Sequence, residues 1–519
     1  MLPAASDGPE TAGRVGYWTC TMRCANVFAA PSTPLKLARH TIFNLIGLGA
    51  PLLLALGAIP ALLEGLGAER FGLLMLIWAI TSYFGLFDLG LGRSLTQQLS
   101  ILFDQDRDDE VGPASATALA LMAVLGSVGG VLMLVLAPWG GGMLKISAHP
   151  EAAVRAAMVM GVAMPFIVLT AGLRGMLEAR HAFFALNCVR LPIGLWTFAG
   201  PWLVLIFAGP DLVWMAWALA GGRIIGCAVH GGLAWHAVPQ LRGRMLPQRT
   251  WFRPLLVSGG WLTLSNLISP FMGYVDRFLI GTTISAAAVA LYATPQELVT
   301  KVWIIPAAMT SVLLPAFAAK TARRDADGWR IFDRALGVLF LCVLPIAAGL
   351  NLFAIELMQA WVGESFAQEI APLLQIFAIG ILINCLAHVP LTWLHGAGQY
   401  RAPALLYCIE LPIFLVVLWG LCTSMGLKGA ALAWLIRICA DSAALFYLVY
   451  RQRGAAIGRA FKEGGTAIPL AAAFAALSFA GAAISSTLIR AVWLMLVFAM
   501  AFFIGWRLSR SSSMSVLQP

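Results

Sequence analysis

The sequence predicts an all-α polytopic membrane protein of about 14 transmembrane helices, arranged as two parallel six-helix repeats plus two C-terminal helices. Three observations carry this. Of 519 residues, 60% are apolar and 11% charged, against roughly 45–50% and about 25% in soluble domains. The apolar residues fall in repeated blocks of about 20, the length that crosses hydrocarbon as a helix. The basic residues alternate along the chain between rich and poor connections, as in a chain threaded back and forth across a membrane.

In order, the blocks give spans near Ile42–Leu63, Phe71–Leu89, Ala114–Trp139, Ala152–Leu173, Phe183–Ala208, Leu212–Val238 and Pro254–Ile280. Seven more follow near Ala287–Ala316, Ala335–Trp361, Ala371–Leu394, Pro403–Cys422, Ala430–Tyr450, Ala467–Ser485 and Leu488–Trp506. Each of the first seven is bounded by Gly, Pro or charge. With the N-terminus inside, 25 of the 34 Lys and Arg, Arg174 and Arg190 among them, fall in cytoplasmic segments or the span ends beside them, five in outer loops or the span ends beside them (Arg70, Lys145, Arg155, Lys428, Arg490) and four deep within spans (Arg223, Arg277, Lys301, Arg437). That asymmetry sets the orientation, with both termini cytoplasmic. It also accounts for the net charge of +10 without nucleic acid, because the charge is spread over many segments rather than gathered in one patch.

The chain repeats itself. Cys188-Val189-Arg190-Leu191-Pro192-Ile193 returns as Cys408-Ile409-Glu410-Leu411-Pro412-Ile413, and the stretch ending at Arg223-Ile224 returns as that ending at Arg437-Ile438. Leu66 to Leu74 similarly resembles Ile284 to Tyr292. An even number of spans separates the copies, so both halves have one orientation and are related by an axis along the membrane normal. The expected division is a mobile cytoplasmic tail over 1–35, a first lobe over 36–250, a second over 251–453, two additional spans over 454–507 and a short cytoplasmic tail over 508–519.

Parallel halves of spanning helices, with no large domain between them, have the organisation of a secondary transporter. No phosphate-binding loop, nucleophile elbow or H-E-x-x-H string is present. Asp104-Gln105-Asp106 has the look of a cation-binding pair, but it sits among Asp108, Asp109 and Glu110 in an acidic cytoplasmic segment, which favours a solvated loop. The cysteines lack metal-site spacing, so neither metal nor cofactor is expected. Charges within spans cost on the order of 2.5–3.5 kcal/mol each, so each needs a partner or a watery cavity. Glu297 and Lys301 are four apart, as are Arg437 and Asp441, so each pair can neutralise itself along one helix face. Asp276 and Arg277 point about 100° apart on a helix, so at least one looks elsewhere. Arg223 has no acid one turn away, and Asp88 and Arg93 flank Gly90 and Gly92 near the inner end of the second span.

The stretch Leu66-Gly67-Ala68-Glu69-Arg70-Phe71-Gly72-Leu73, with Trp78, Tyr83-Phe84 and Phe87-Asp88-Leu89-Gly90-Leu91-Gly92-Arg93, resembles the opening signature of the bacterial polysaccharide or O-antigen flippase family. That family belongs to the multidrug/oligosaccharidyl-lipid/polysaccharide exporter superfamily. Asp276-Arg277-Phe278-Leu279-Ile280-Gly281, followed by Val289, Tyr292 and Pro295, resembles its seventh and eighth spans. The resemblance runs from about Lys36 to Arg453 and departs mainly in the long N-terminal tail. It implies a V-shaped pair of lobes around a cationic cavity, flipping undecaprenyl-diphosphate-linked oligosaccharide in the inner membrane. Membrane lipids surround such a protein, and a polysaccharide polymerase and chain-length regulator are its expected partners.

Under that reading Arg277 contacts the diphosphate, with Arg93, Arg223 and Lys301 assisting, while Asp88, Asp276 and Glu297 position them or carry a coupling proton. A lipid II flippase shares the expected fold and head-group charge. A multidrug cation antiporter would need unpaired acids, which the in-span basic residues here at least match in number. A membrane polymerase or ligase would need a large outer loop, and the longest outer loops here are about a dozen residues.

Overall fold

The computed structural model describes residues 34–84, 88, 90–146, 150–243, 245–257, 260–322, 327–452, 475–477, 479–481, 484 and 486–513. Among these residues the regular structure is helical throughout. The expected N-terminal tail up to residue 33, most of the thirteenth span and the last residues of the C-terminal tail lie outside them. In the first half of the chain run α1 (Pro34–Phe84), α2 (Leu91–Asp104), α3 (Asp108–Met143), α4 (Pro150–Ala179), α5 (Phe183–Ala208) and α6 (Leu212–Ala237). The second half begins with α7 (Phe252–Val257), α8 (Gly260–Met272), α9 (Val275–Thr283), α10 (Ala286–Thr300) and α11 (Ile304–Ala322). It continues through α12 (Asp327–Leu352), α13 (Ala354–Val362), α14 (Glu364–Gly396) and α15 (Arg401–Gln452), and α16 (Thr487–Ser513) follows.

Nine helices among the described residues are long and apolar enough to cross a membrane. Two of them hold a pair of spans each. Gly67 breaks α1 at φ 74°, and Gly426 breaks α15 at φ 61°. Positive φ is a conformation that glycine adopts without a Cβ penalty, so one helix passes into the next across a kink at each glycine without an intervening loop. Helices in lipid gain little from hydrophobic burial against each other, and close approach through small residues supplies the packing instead. Gly126 and Gly130 lie four apart on α3, and a Cβ on either would stand 2.6 Å from the Pro165 Cα or the Gly161 carbonyl oxygen of α4.

Two expectations change. The polar segment between the second and third spans is not a loop: it contains α2, whose Leu91, Leu95, Leu99 and Leu102 are buried against α3 and α4. Hydropathy missed it because Arg93, Gln97, Ser100 and Asp104 occupy its other positions and dilute the average. The seventh span is not continuous either. A break at Gly273-Tyr274, just after Pro270, separates α8 from α9.

The halves meet at the outer end as the sequence orients it. The Lys145 amide donates to the Gly281 carbonyl (3.1 Å), the Ala286 amide donates to the Lys145 carbonyl (3.2 Å), and Lys145 Nζ donates to the Thr283 carbonyl (2.5 Å). Beside this knot α1 packs on α10 so closely that a Cβ on Gly72 would run into the Ala286 carbonyl oxygen. Trp361 Nε1 adds a bond to the Leu56 carbonyl at 2.8 Å. At the opposite end the first half is latched internally. Arg180 lies over the Phe103 ring at 3.8 Å and donates to Gln240 Oε1 (2.7 Å), and Gln240 Nε2 donates to Asp108 Oδ1 (2.8 Å).

Candidate functional site

The break before α9 puts Asp276 in the first turn of a helix deep in the bundle, where backbone N–H groups favour a carboxylate. Asp276 is fully buried and satisfied: Oδ1 accepts from the Arg277 amide (2.8 Å), and Oδ2 accepts from the Tyr292 hydroxyl (2.8 Å) and Gln296 Nε2 (3.0 Å). The Arg277 guanidinium turns away, to Gln296 Oε1 at 3.1 Å and Glu297 Oε1 at 2.9 Å, with the Tyr274 ring 5.3 Å below it. Lys301 Nζ takes the other oxygen of Glu297 at 2.9 Å. Two cations and two carboxylates therefore close on one another with no formal charge left over.

This is the pair along α10 that the spacing suggested, joined to Arg277 from the neighbouring helix. Arg277 is only 3% exposed, so in this conformation its guanidinium is spent on protein partners. Glu297 and Lys301 edge a narrow crevice between α1 and α10, lined also by Ala55, Ile59 and Trp361.

Asp88 is half-buried rather than buried, and its oxygens accept from the amides of Gly90 (3.0 Å) and Gly92 (2.9 Å). It caps α2, which explains both the carboxylate and the glycines: a Cβ on Gly92 would stand 2.7 Å from Asp88 Oδ2. Arg93 is exposed on the same helix.

The repeat-related arginines differ in surroundings. Arg437, midway along the second part of α15, lies 3.6 Å from Glu410 Oε1 and 5.2 Å from the Phe414 ring, with Asp441 close enough to act on it electrostatically. The spacing pointed to Asp441 alone; the structure adds Glu410 from across the Gly426 break. Arg223, midway along α6, is partly buried, and among the described residues it has no carboxylate partner. A guanidinium at that depth without an acid is where an anionic group would be attracted.

Sequence reasoning missed Glu410, and it treated Arg174 and Arg190 as residues of a cytoplasmic segment. The structure sets the latter two inside α4 and α5, near enough to influence each other. The internal repeat held the signal, since it aligns Arg190 with Glu410.

Residues 37–320 match the family model described as polysaccharide biosynthesis protein. The chain belongs to that family. A curated relative, a putative O-antigen transporter of Shigella flexneri, is 28% identical over 419 residues, covering 80% of this chain and 99% of its own. In fold the chain is similar to a multidrug resistance MATE family transporter of the MOP superfamily in its inward-facing conformation. The TM-score is 0.69 at 16% identity, over 80% of this chain and 99% of the other. It is also similar to the lipid II flippase MurJ in an inward closed conformation, at TM-score 0.67 and 12% identity, over 91% and 99% of the two chains. The protein is thus a multi-pass membrane protein of a transporter fold.

Proposed function

We propose that the protein is a flippase carrying undecaprenyl-diphosphate-linked oligosaccharide, an O-antigen or exopolysaccharide repeat unit, from the cytoplasmic to the periplasmic leaflet by alternating access. It works in the bacterial inner membrane with both termini cytoplasmic. The observation that carries this reading is Arg223, a cation at mid-depth without an acid partner among the described residues. A multidrug cation carrier would place a carboxylate there. The curated relative, matched over nearly its whole length, supports an oligosaccharide cargo.

In this scheme Arg223 and the exposed Arg93 receive the diphosphate while the outer knot around Lys145 is closed. Arg277 and Lys301 act when the lobes rearrange, since exchanging Glu297 for phosphate oxygens would free both cations at once. Asp276 and Glu297 keep those cations oriented in the absence of substrate, and Asp88 holds α2, which carries Arg93. No catalytic step is required.

The test is a strain lacking the protein. Lipid-linked repeat units should accumulate on the cytoplasmic side and surface polysaccharide should disappear, with lipid II turnover unaffected. Loss of lipid II turnover with normal polysaccharide would assign the protein to peptidoglycan instead.

A further inference from the structure

The outer end of the first half, as the sequence orients it, holds a cavity that the transport scheme does not use. Its volume is about 570 Å³, and it lies between the start of the second part of α1, the first turns of α4 and the connection from α5 to α6. Arg70, Arg155, Asp211, Trp214 and Trp217 are among its lining residues. The distribution of positive charge leaves five cations on this side, and two of them converge here from distant positions. Lys145 is committed to the Thr283 carbonyl, and Arg490 to the Leu352 carbonyl and Glu356.

Arg70 Nη1 donates to the Pro210 carbonyl at 3.2 Å, which fixes the guanidinium at the rim and leaves its other donors for a ligand. Arg155 is exposed on α4. Asp211 is the acidic lining residue, and its Oδ1 accepts from the amides of Val213 (2.8 Å) and Trp214 (3.2 Å), so it caps α6. Trp214 and Trp217 lie three apart on one face of α6 and are 60% and 46% exposed. Both lie within about 8 Å of the start of the helix at 1.5 Å per residue, a depth at which tryptophan sits among lipid headgroups.

Two guanidiniums offer phosphate oxygens paired donors, and the indoles flank them with amphipathic surface. We propose that this cavity binds the phosphate of an anionic lipid headgroup in the outer leaflet. Two lipids present that chemistry there: a bilayer phospholipid such as phosphatidylglycerol, and a polyprenyl monophosphate carrier lipid.

The test is native mass spectrometry of the purified full-length protein with phosphatidylglycerol, undecaprenyl phosphate or phosphatidylcholine. Arg155→Gln and Arg70→Gln should each lower retention of anionic lipid by about tenfold, the loss of one charge-assisted hydrogen bond. Lys428→Gln, exposed and outside the cavity, removes the same charge and should change nothing. Arg155→Gln alters only an exposed side chain, so it tests the site even where Arg70→Gln disturbs folding. Which anionic lipid is lost identifies the occupant. Retention unchanged in Arg155→Gln, or lowered as much by Lys428→Gln, overturns the proposal.

Discussion

Arg223 and Arg437 hold corresponding places in the two halves of the chain and stand in opposite electrostatic company. Arg437 lies 3.6 Å from Glu410 and close to Asp441, whereas Arg223 has no carboxylate partner among the described residues. One duplicated position thus sits in an ion cluster in one half and, among the described residues, without a carboxylate partner in the other. Arg437→Ala strands two buried carboxylates, and removing one side of a buried pair costs about 3–5 kcal/mol. The expected outcome is loss of membrane-inserted protein, read by immunoblot and thermal unfolding. Arg437→Ala at wild-type abundance would contradict the assignment.

Arg277 and Glu297 should behave as a unit. Arg277→Ala and Glu297→Gln each leave a charge without its partner, so each should lower the melting temperature and the amount of protein. The double variant should be milder than the sum, with a coupling of about 1–3 kcal/mol. Additive effects would mean that the 2.9 Å contact does not hold the fold.

Much of the architecture was legible in the sequence because membrane spans are set by composition and length, both readable locally. The α2 helix was not, because its Leu91, Leu95, Leu99 and Leu102 stripe shares the segment with polar residues that average hydropathy toward a loop. The Glu297–Lys301 pair was legible as a helix-face spacing. The reach of Arg277 to Gln296 and Glu297, about twenty residues on, depends on how α9 meets α10. Glu410 stayed hidden for the same reason: its partner Arg437 lies beyond the Gly426 break. Asp88 was recognised as a significant carboxylate, but its role as the α2 cap depends on a helix that hydropathy did not show.

The closure of the outer end gives a conformational prediction. Lys145→Cys and Ala286→Cys, placed in a background without the native cysteines, should cross-link under oxidant, because the Ala286 amide donates to the Lys145 carbonyl at 3.2 Å where the two halves meet. Cross-linking should stop transport, and reductant should restore it. Full transport by the oxidised protein would show that the outer end need not open.

Orientation is checked by thiol labelling at exposed positions. Ser365→Cys, beside the outer connection between α13 and α14, should react with an impermeant reagent in intact cells. Gln399→Cys, between α14 and α15, should react only after permeabilisation. The reverse pattern would overturn the assignment of sides.

The most direct test of Arg223 as the cation that receives the lipid diphosphate is the initial flipping rate of lipid-linked oligosaccharide in proteoliposomes. A hydrogen bond to a charged group is worth about 1.5–3 kcal/mol, so Arg223→Ala should slow flipping by roughly 10- to 150-fold while its thermal unfolding stays at the wild-type temperature. Arg223→Lys should recover part of the rate, since it keeps the charge and loses the paired donors. Flipping at the wild-type rate by Arg223→Ala would contradict the account.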